Sequence, residues 1–416
     1  MTISGLWEHI KAEHHHLLKL ICVRYFSGNR IAVDFMGECF RLRMRARRLV
    51  SEKWNIHSGP VDERVIDKQM IRLLLEFVLE FIDNNITAVM IGEKSASKSK
   101  DKTKDDRESK RMKLLREMEE LRQVIREKGI FQAENEIALL RDKECIYPSF
   151  PQESKELALL FLKEIGVPCL MCADGIEAEA VASFMCNNGL VVAVYSPDGD
   201  CQAHGAYMQI RSPEKVFREG MLVSMYQVVF HEELLESYNL TREQFLDVCI
   251  TAKCDHNTGI KGVGFKTALK LIKQYGSVQE LSNYKDISGL NYEECLTIFN
   301  ERSPCELLDR KCLEEFEIEE WKDLDAYLVY TFTERTFSIL QDYEMEEQYI
   351  YFDGKIVTTP SIYQHIITET INGKEYKTYN YPDEVEEMPI KKKIVRGKKK
   401  SVETTKTTSF SIRGRK

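Results

Sequence analysis

The chain has 416 residues, 43% of them hydrophobic, enough for one large domain or two smaller ones with real cores. No run approaches the roughly 18 uninterrupted apolar residues of a membrane span, and the N-terminus lacks the charged, apolar and small-residue order of a secretory signal, so an intracellular protein with no membrane partner is expected. The formal net charge of −8 divides into −18 over residues 1–390 and +10 over residues 391–416, where 11 Lys or Arg face Glu403 alone; such an acidic body excludes uniform coating of nucleic acid and leaves binding through patches.

In chain order, a first apolar strand over 31–33 ends in Asp34, and a helix follows over 37–49 carrying Arg41, Arg43, Arg45, Arg47 and Arg48, dense enough for a phosphate-binding face. An apolar helix over 71–82 precedes a second strand over 88–91, which leads to Glu93. Residues 94–142 open with "KSASKSKDKTKDDRESKRMKLL" and read by composition as a charged linker followed by a surface helix. A helix over 156–165, closed by Gly166, comes before a third strand over 168–172, with Glu177 and Glu179 just beyond it. A fourth strand over 190–194 leads to "YSPDGDC", with Asp198 and Asp200. The 12 cysteines are scattered, and the lone CxxC of Cys169 and Cys172 has no second pair, so they read as reduced core residues. His14, His15 and His16 read as helix surface.

Strands alternating with helices predict an α/β fold with a mostly parallel sheet covered on both faces, whose ligands sit at the carboxyl ends of the strands. Four strand ends then carry six carboxylates. A single one is an ordinary loop acid or N-cap, but six in the same topological position repel one another unless divalent cations neutralise them. Oxygen-only donors favour Mg²⁺ or Mn²⁺, and two such ions about 4 Å apart suit phosphodiester hydrolysis. Downstream, "CDHNTGIKGVGFKTALKLIKQYG" over 254–276 places a seventh acid, Asp255, before Gly262 and Gly264 and an amphipathic helix opening near Lys266. Glycines at a helix N-terminus let backbone amides approach a phosphate, although a Gly-rich turn between core helices would look the same.

In order and spacing these motifs resemble the flap endonuclease and XPG-type family of structure-specific 5′ nucleases over residues 1–340. "IAVDF" resembles the stretch around the first catalytic aspartate, "GIEAEA" the internal glutamate pair, and "SPDGD" the next acidic pair, reached by a 19-residue step from Glu179 to Asp198. "CDHNTGIKGVGFKTALKLI" is similar to the last metal-binding aspartate and the helix-two-turn-helix that grips duplex backbone, often with a K⁺ ion. Glu93 stands where the family has aspartate, and Phe265 where proline is common.

The resemblance implies a PIN-like nuclease core with a helical arch, and two Mg²⁺ ions, replaceable by Mn²⁺, held by Asp34, Glu93, Glu177, Glu179, Asp198, Asp200 and Asp255. Lys100 and Arg107 fall on the basic pair at the scissile phosphate, with Lys110 and Arg111 following. Phe40 falls on a base-stacking aromatic, Arg47 on a basic residue that meets the arch, and Gly262, Gly264 and Lys266 on the DNA-gripping loop. The implied organisation is a nuclease region over 1–93, an arch over 94–145, an internal nuclease region over 146–253, the helix-two-turn-helix and following helices over 254–340, a β-hairpin extension over 341–390 and a basic tail over 391–416. The implied partner is branched or flapped DNA, with RNA open, cleaved by a monomer in the nucleus or, for a viral member, at a cytoplasmic replication site. A sliding clamp is a weaker expectation, because "TTKTTSFSI" has no leading glutamine and a single aromatic. The competing expectation is an inactive or RNA-directed binding protein of the same fold.

Overall fold

The computed structural model describes residues 3–54, 59–95, 101–218, 221–300, 302–315, 317–325 and 328, together with four short strands between 349 and 377. Lys100, the clamp-like peptide and the basic tail lie outside the described residues. A seven-stranded sheet organises the molecule: β1 (Lys19–Cys22), β2 (Arg30–Asp34), β3 (Thr87–Gly92), β4 (Cys169–Met171), β5 (Ala193–Tyr195), β6 (Met208–Arg218) and β7 (Met221–Phe230), in the spatial order β1-β7-β6-β5-β2-β3-β4. The run from β6 to β4 is parallel, and β7 and β1 add two antiparallel strands at one edge.

The parallel centre forms where apolar runs allow burial on both faces: Ile31, Ala32, Val33, Val89, Met90, Ile91 and Val194 are all wholly inaccessible. The fourth strand is shorter than the run over 190–194 predicts, because residues 190–192 form the turn that enters it. β6 and β7 are a long hairpin that the sequence hides behind Pro213. That proline is tolerated because β6 pairs with β5 only at Gln209 and Ile210, and a register shift between Ile210 and Ser212 carries the remainder past the sheet.

The helices used below are α1 (Leu6–Glu13), α2 (Phe35–Lys53), α3 (Glu63–Asp83), α4 (Asp101–Lys128), α5 (Glu134–Ile146), α6 (Gln152–Glu164), α7 (Ala178–Asn187), α8 (Asp200–Ala203), α9 (His231–Tyr238), α10 (Arg242–Thr251) and α11 (Phe265–Tyr275). α2, α3 and α6 pack on one sheet face, and α7 with Leu307, Leu308, Cys312, Ile318, Leu324 and Leu328 on the other. α1, α9, α10 and α11 build a second core around Phe245 and Phe265. Beyond α11 the chain returns to cover the exposed edge of β4, with Asp309 N–H donating to Met171 O (2.8 Å) and Ala173 N–H donating to Leu307 O (2.9 Å). The histidine run follows α1 rather than lying on it; His14 packs edge-on against Tyr238 at 4.6 Å. Near the C-terminus, Tyr349–Phe352 pairs with Lys355–Thr358 and Thr368–Ile371 with Lys374–Lys377, both antiparallel.

The arginines of α2 do not form one phosphate-facing surface. Arg41, Arg45 and Arg48 are exposed, whereas Arg43 and Arg47 are 0% and 1% accessible. Arg43 is ion-paired with Glu63 and Asp67 and donates to Ser149 O (2.9 Å); Arg47 is ion-paired with Glu63 and reaches Glu144 of α5 at 3.4 Å. Arg122 of α4 holds the other side of Glu144. The helical spacing that suggested a basic stripe instead turns two arginines four residues apart, Arg43 and Arg47, inward, where paired carboxylates make burial tolerable. Arg47 thus meets the α4–α5 pair but does not face DNA. Arg47→Met should lower stability on the order of 3 kcal/mol by urea denaturation, since it removes one of the two arginines that neutralise the buried Glu144. Unchanged stability with lost DNA affinity would return Arg47 to a phosphate-binding role.

Candidate metal centre and nucleic-acid interface

Register brings the carboxyl ends of the parallel strands together. Asp34, the last residue of β2, pairs with Ile91 of β3, while Val33 pairs with Tyr195 of β5. Glu93 follows β3 by one residue, Glu177 and Glu179 flank the start of α7 beyond β4, and Asp198 and Asp200 follow β5. Asp34, Glu177, Glu179 and Asp200 are buried; Glu93, Asp198 and Asp255 are half-buried.

Most of these carboxylates have a local anchor. Asp34 caps α2, accepting from Gly37 N–H (3.0 Å) and from Ser196 Oγ (3.4 Å). Gly37 cannot be larger here, since a Cβ would stand 2.2 Å from Asp34 Oδ2. Glu93 Oε1 accepts from Ala178 N–H (2.9 Å) in the first turn of α7, and Asp198 Oδ1 accepts from Asp200 N–H (3.0 Å). Helix N-termini thus face three strand ends, offsetting part of the negative charge. Glu177 Oε2 lies 3.5 Å from His256 Nε2. Asp255 Oδ2 lies 3.4 Å from Nη2 of Arg107, which reaches across from α4.

These anchors do not remove the electrostatic cost. Burial first, then Asp198 and Glu38, push the Asp34 carboxyl from its ordinary 3.8 up to about 6. Burial, then Asp34, Asp198, Glu93 and Glu177, hold the Glu179 carboxyl well above the usual range. The buried Cys172 and Cys201 thiols sit among the same charges and are raised likewise, by burial first. Among the described residues no three His, Cys, Asp or Glu side chains converge tightly enough to ring an ion as they stand. The chemistry of the set, anionic oxygens that burial and mutual repulsion make costly to ionise, nevertheless suits a hard divalent cation, whose charge reverses both penalties.

Supporting residues appear that sequence reasoning missed. Gln209, wholly buried on β6, donates to Ser196 O (2.8 Å) and Asp198 O (2.6 Å), pinning the turn that presents Asp198 and Asp200. Lys94, next to Glu93, is ion-paired with Asp309 of the returning segment. His256 was adjacent to a predicted ligand but carried no spacing signal. The nucleic-acid positions are distributed around this edge. Phe40 is 39% exposed, which sets aside a core role, and tilts against Phe150 at 6.2 Å. Lys110 is exposed on α4, and Arg111 is held by Glu108 and Tyr147. Gly262 takes φ +76° and Gly264 caps α11 in a loop where an added Cβ meets nothing within 4 Å, so the backbone is open to approach. Lys266 is paired with Glu13 (2.6 Å).

Residues 166–255 match the XPG I-region family. Flap endonuclease 1 of Glycine max is 33% identical over 159 residues, 37% of this chain and 40% of that protein. Flap endonuclease 1-A of Oryza sativa subsp. japonica is 34% identical over 146 residues, 34% and 37% of the two chains. The chain thus spans about two fifths of the length of these curated relatives. Among solved structures, flap endonuclease-1 from Methanococcus jannaschii aligns over 79% of this chain and 98% of its own at 19% identity and a TM-score of 0.47. Human GEN1 in complex with Holliday junction DNA aligns over 84% and 82% at 15% identity and a TM-score of 0.46. No helix among the described residues is long and apolar enough to cross a membrane.

The raised Asp34 value makes a signed prediction. A carboxyl whose folded pKa exceeds its unfolded one binds its proton more tightly when folded, so its contribution falls as pH rises from about 4 through 6, by on the order of 3 kcal/mol. Asp34→Asn, which can still cap α2, should therefore be more stable than wild type in EDTA at pH 7.5, and the difference should close by pH 4. Urea denaturation across that range checks it; a less stable variant at pH 7.5 contradicts it.

Proposed function

We propose, from the match of residues 166–255 to the XPG I-region family and the likeness to flap endonucleases, that the chain is a structure-specific 5′ nuclease of the flap endonuclease and XPG type. Its reaction is hydrolysis of phosphodiesters at single-strand to double-strand DNA junctions, 5′ flaps first, in replication, repair or recombination. The observation that carries this reading is the placement of Asp34, Glu93, Glu177, Glu179, Asp198 and Asp200 at the carboxyl ends of β2, β3, β4 and β5, brought to one sheet edge by parallel register. A phosphodiester is itself anionic and would be repelled by such an edge. Binding there makes sense only with cations between, so we assign the carboxylates to Mg²⁺, replaceable by Mn²⁺.

When bound, two such ions supply an activated water and neutralise the charge that builds on the leaving oxygen. The chain's own groups do the rest. Gln209 and Ser196 hold the Asp198–Asp200 turn in place, and Gly37 N–H holds Asp34. We assign Arg107, paired with Asp255 at the rim, to the scissile phosphate, with Lys100 as its basic partner. Lys110 and Arg111 extend positive charge along α4 toward the 5′ strand. Phe40 offers a partly exposed ring for a base. The open loop at Gly262 and Gly264, with Lys266, takes duplex phosphate at the N-terminus of α11, and oxygen donors of the same helix-two-turn-helix would hold K⁺. A DNA-processing nuclease of this kind works in the nucleus, or at a cytoplasmic replication site if viral.

Asp200→Asn should retain binding to flapped DNA and lose Mg²⁺-dependent cleavage; wild-type cleavage by that variant would end the metal assignment. Arg107→Ala should slow single-turnover cleavage on the order of 10²-fold with a smaller loss of binding. An unchanged rate would confine Arg107 to its ion pair with Asp255.

A further inference from the structure

Resting on the nuclease reading above, we propose that His256 is a positioning residue that fixes the orientation of Glu177 and thereby sets how tightly the acidic edge takes its cations. His256 is 2% exposed, and its Nε2 lies 3.5 Å from Glu177 Oε2. The ring has little freedom to leave. It packs edge-on against Phe299 at 5.8 Å, and the same phenylalanine meets the His204 ring at 4.8 Å. Its backbone is equally constrained: Asn291 Nδ2 donates to His256 O (3.3 Å). Asn257 Oδ1 accepts from Cys254 N–H (3.3 Å) and Gly259 N–H (3.0 Å), while Asn257 Nδ2 donates to Ile250 O (2.9 Å). One locked turn therefore delivers Asp255 toward Arg107 and His256 toward Glu177.

Glu177 is the residue before α7, and its side chain makes no capping bond to that helix, unlike Asp34 on α2. It also borders a cavity of about 200 Å³ lined by His204, His256, Glu294 and Arg302, which leaves room for its carboxylate to swing away from the acidic edge. A buried imidazole on the inner side restricts that swing. Groups that orient a ligating carboxylate typically change metal affinity or activity by about 10- to 100-fold when removed.

The test uses the full chain and Mn²⁺ as probe, with bound ion read from the loss of the free-ion paramagnetic resonance signal. His256→Phe and the smaller His256→Leu both remove the ring nitrogens, and His256→Gln restores a polar group of similar reach. The proposal expects Phe and Leu to weaken Mn²⁺ binding by about tenfold, with Gln recovering most of it and the KM for flap DNA unchanged; cleavage by Phe and Leu should recover at high metal. Melting temperature identifies any variant that fails to fold, in which case the other carries the comparison. Mn²⁺ affinity equal to wild type in a folded Phe or Leu variant overturns the proposal, as does a Gln variant as weak as both. Wild type that takes no Mn²⁺ overturns the nuclease reading itself, an outcome distinct from either.

Discussion

Repulsion among carboxylates gathered at the carboxyl edge of a parallel sheet is the constraint around which this molecule is arranged. A parallel sheet covered on both faces has to bury its strands, so whatever follows each strand end is drawn partly out of water. Placing Asp34 and Glu179 there raises the cost of ionising them, and burial together with the neighbouring carboxylates holds both carboxyls above their ordinary range. The fold offsets this by aiming helix N-termini at the same edge and by giving Asp34, Glu93 and Asp198 a backbone N–H. What remains is a standing demand for positive charge, and Arg107 arrives at the rim from α4.

The α4–α5 pair is tied to this edge through the protein's interior. Arg47 of α2, Glu144 of α5 and Arg122 of α4 form a chain of ion pairs, with Glu63 of α3 joined through Arg43 and Arg47. Because α2 begins at Asp34, one helix carries a proposed ligand at its N-terminus and the anchor of the α4–α5 pair three turns later. Charge buried in this way adds little net stability, but it fixes which helices meet and in what register.

Residues whose role follows from their place at a strand end were legible in the sequence. Apolar runs marked β2 and β3, and the acids after them needed only chain order to be grouped. β6 and β7 were not legible, since Pro213 argues against a central strand until it is seen that β6 leaves β5 after Ile210. Arg43 and Arg47 misled because helical spacing marks a shared face without saying which way it points; their carboxylate partners come from other helices, Glu63 and Asp67 from α3 and Glu144 from α5 much further along the chain. Gln209 and His256 act through the third dimension alone, on the Asp198 turn and on Glu177, and nothing in their local sequence announces it.

The central claim is that the acidic edge is a cation-dependent cleavage site. Its most direct test is to incubate the full-length protein with end-labelled 5′-flap, nicked, four-way-junction and single-stranded RNA substrates in Mg²⁺ or in EDTA. The account predicts cleavage of the 5′ flap near the junction in Mg²⁺ and none in EDTA. Tight binding to branched DNA with no cleavage of any substrate, or cleavage indifferent to EDTA, would contradict it.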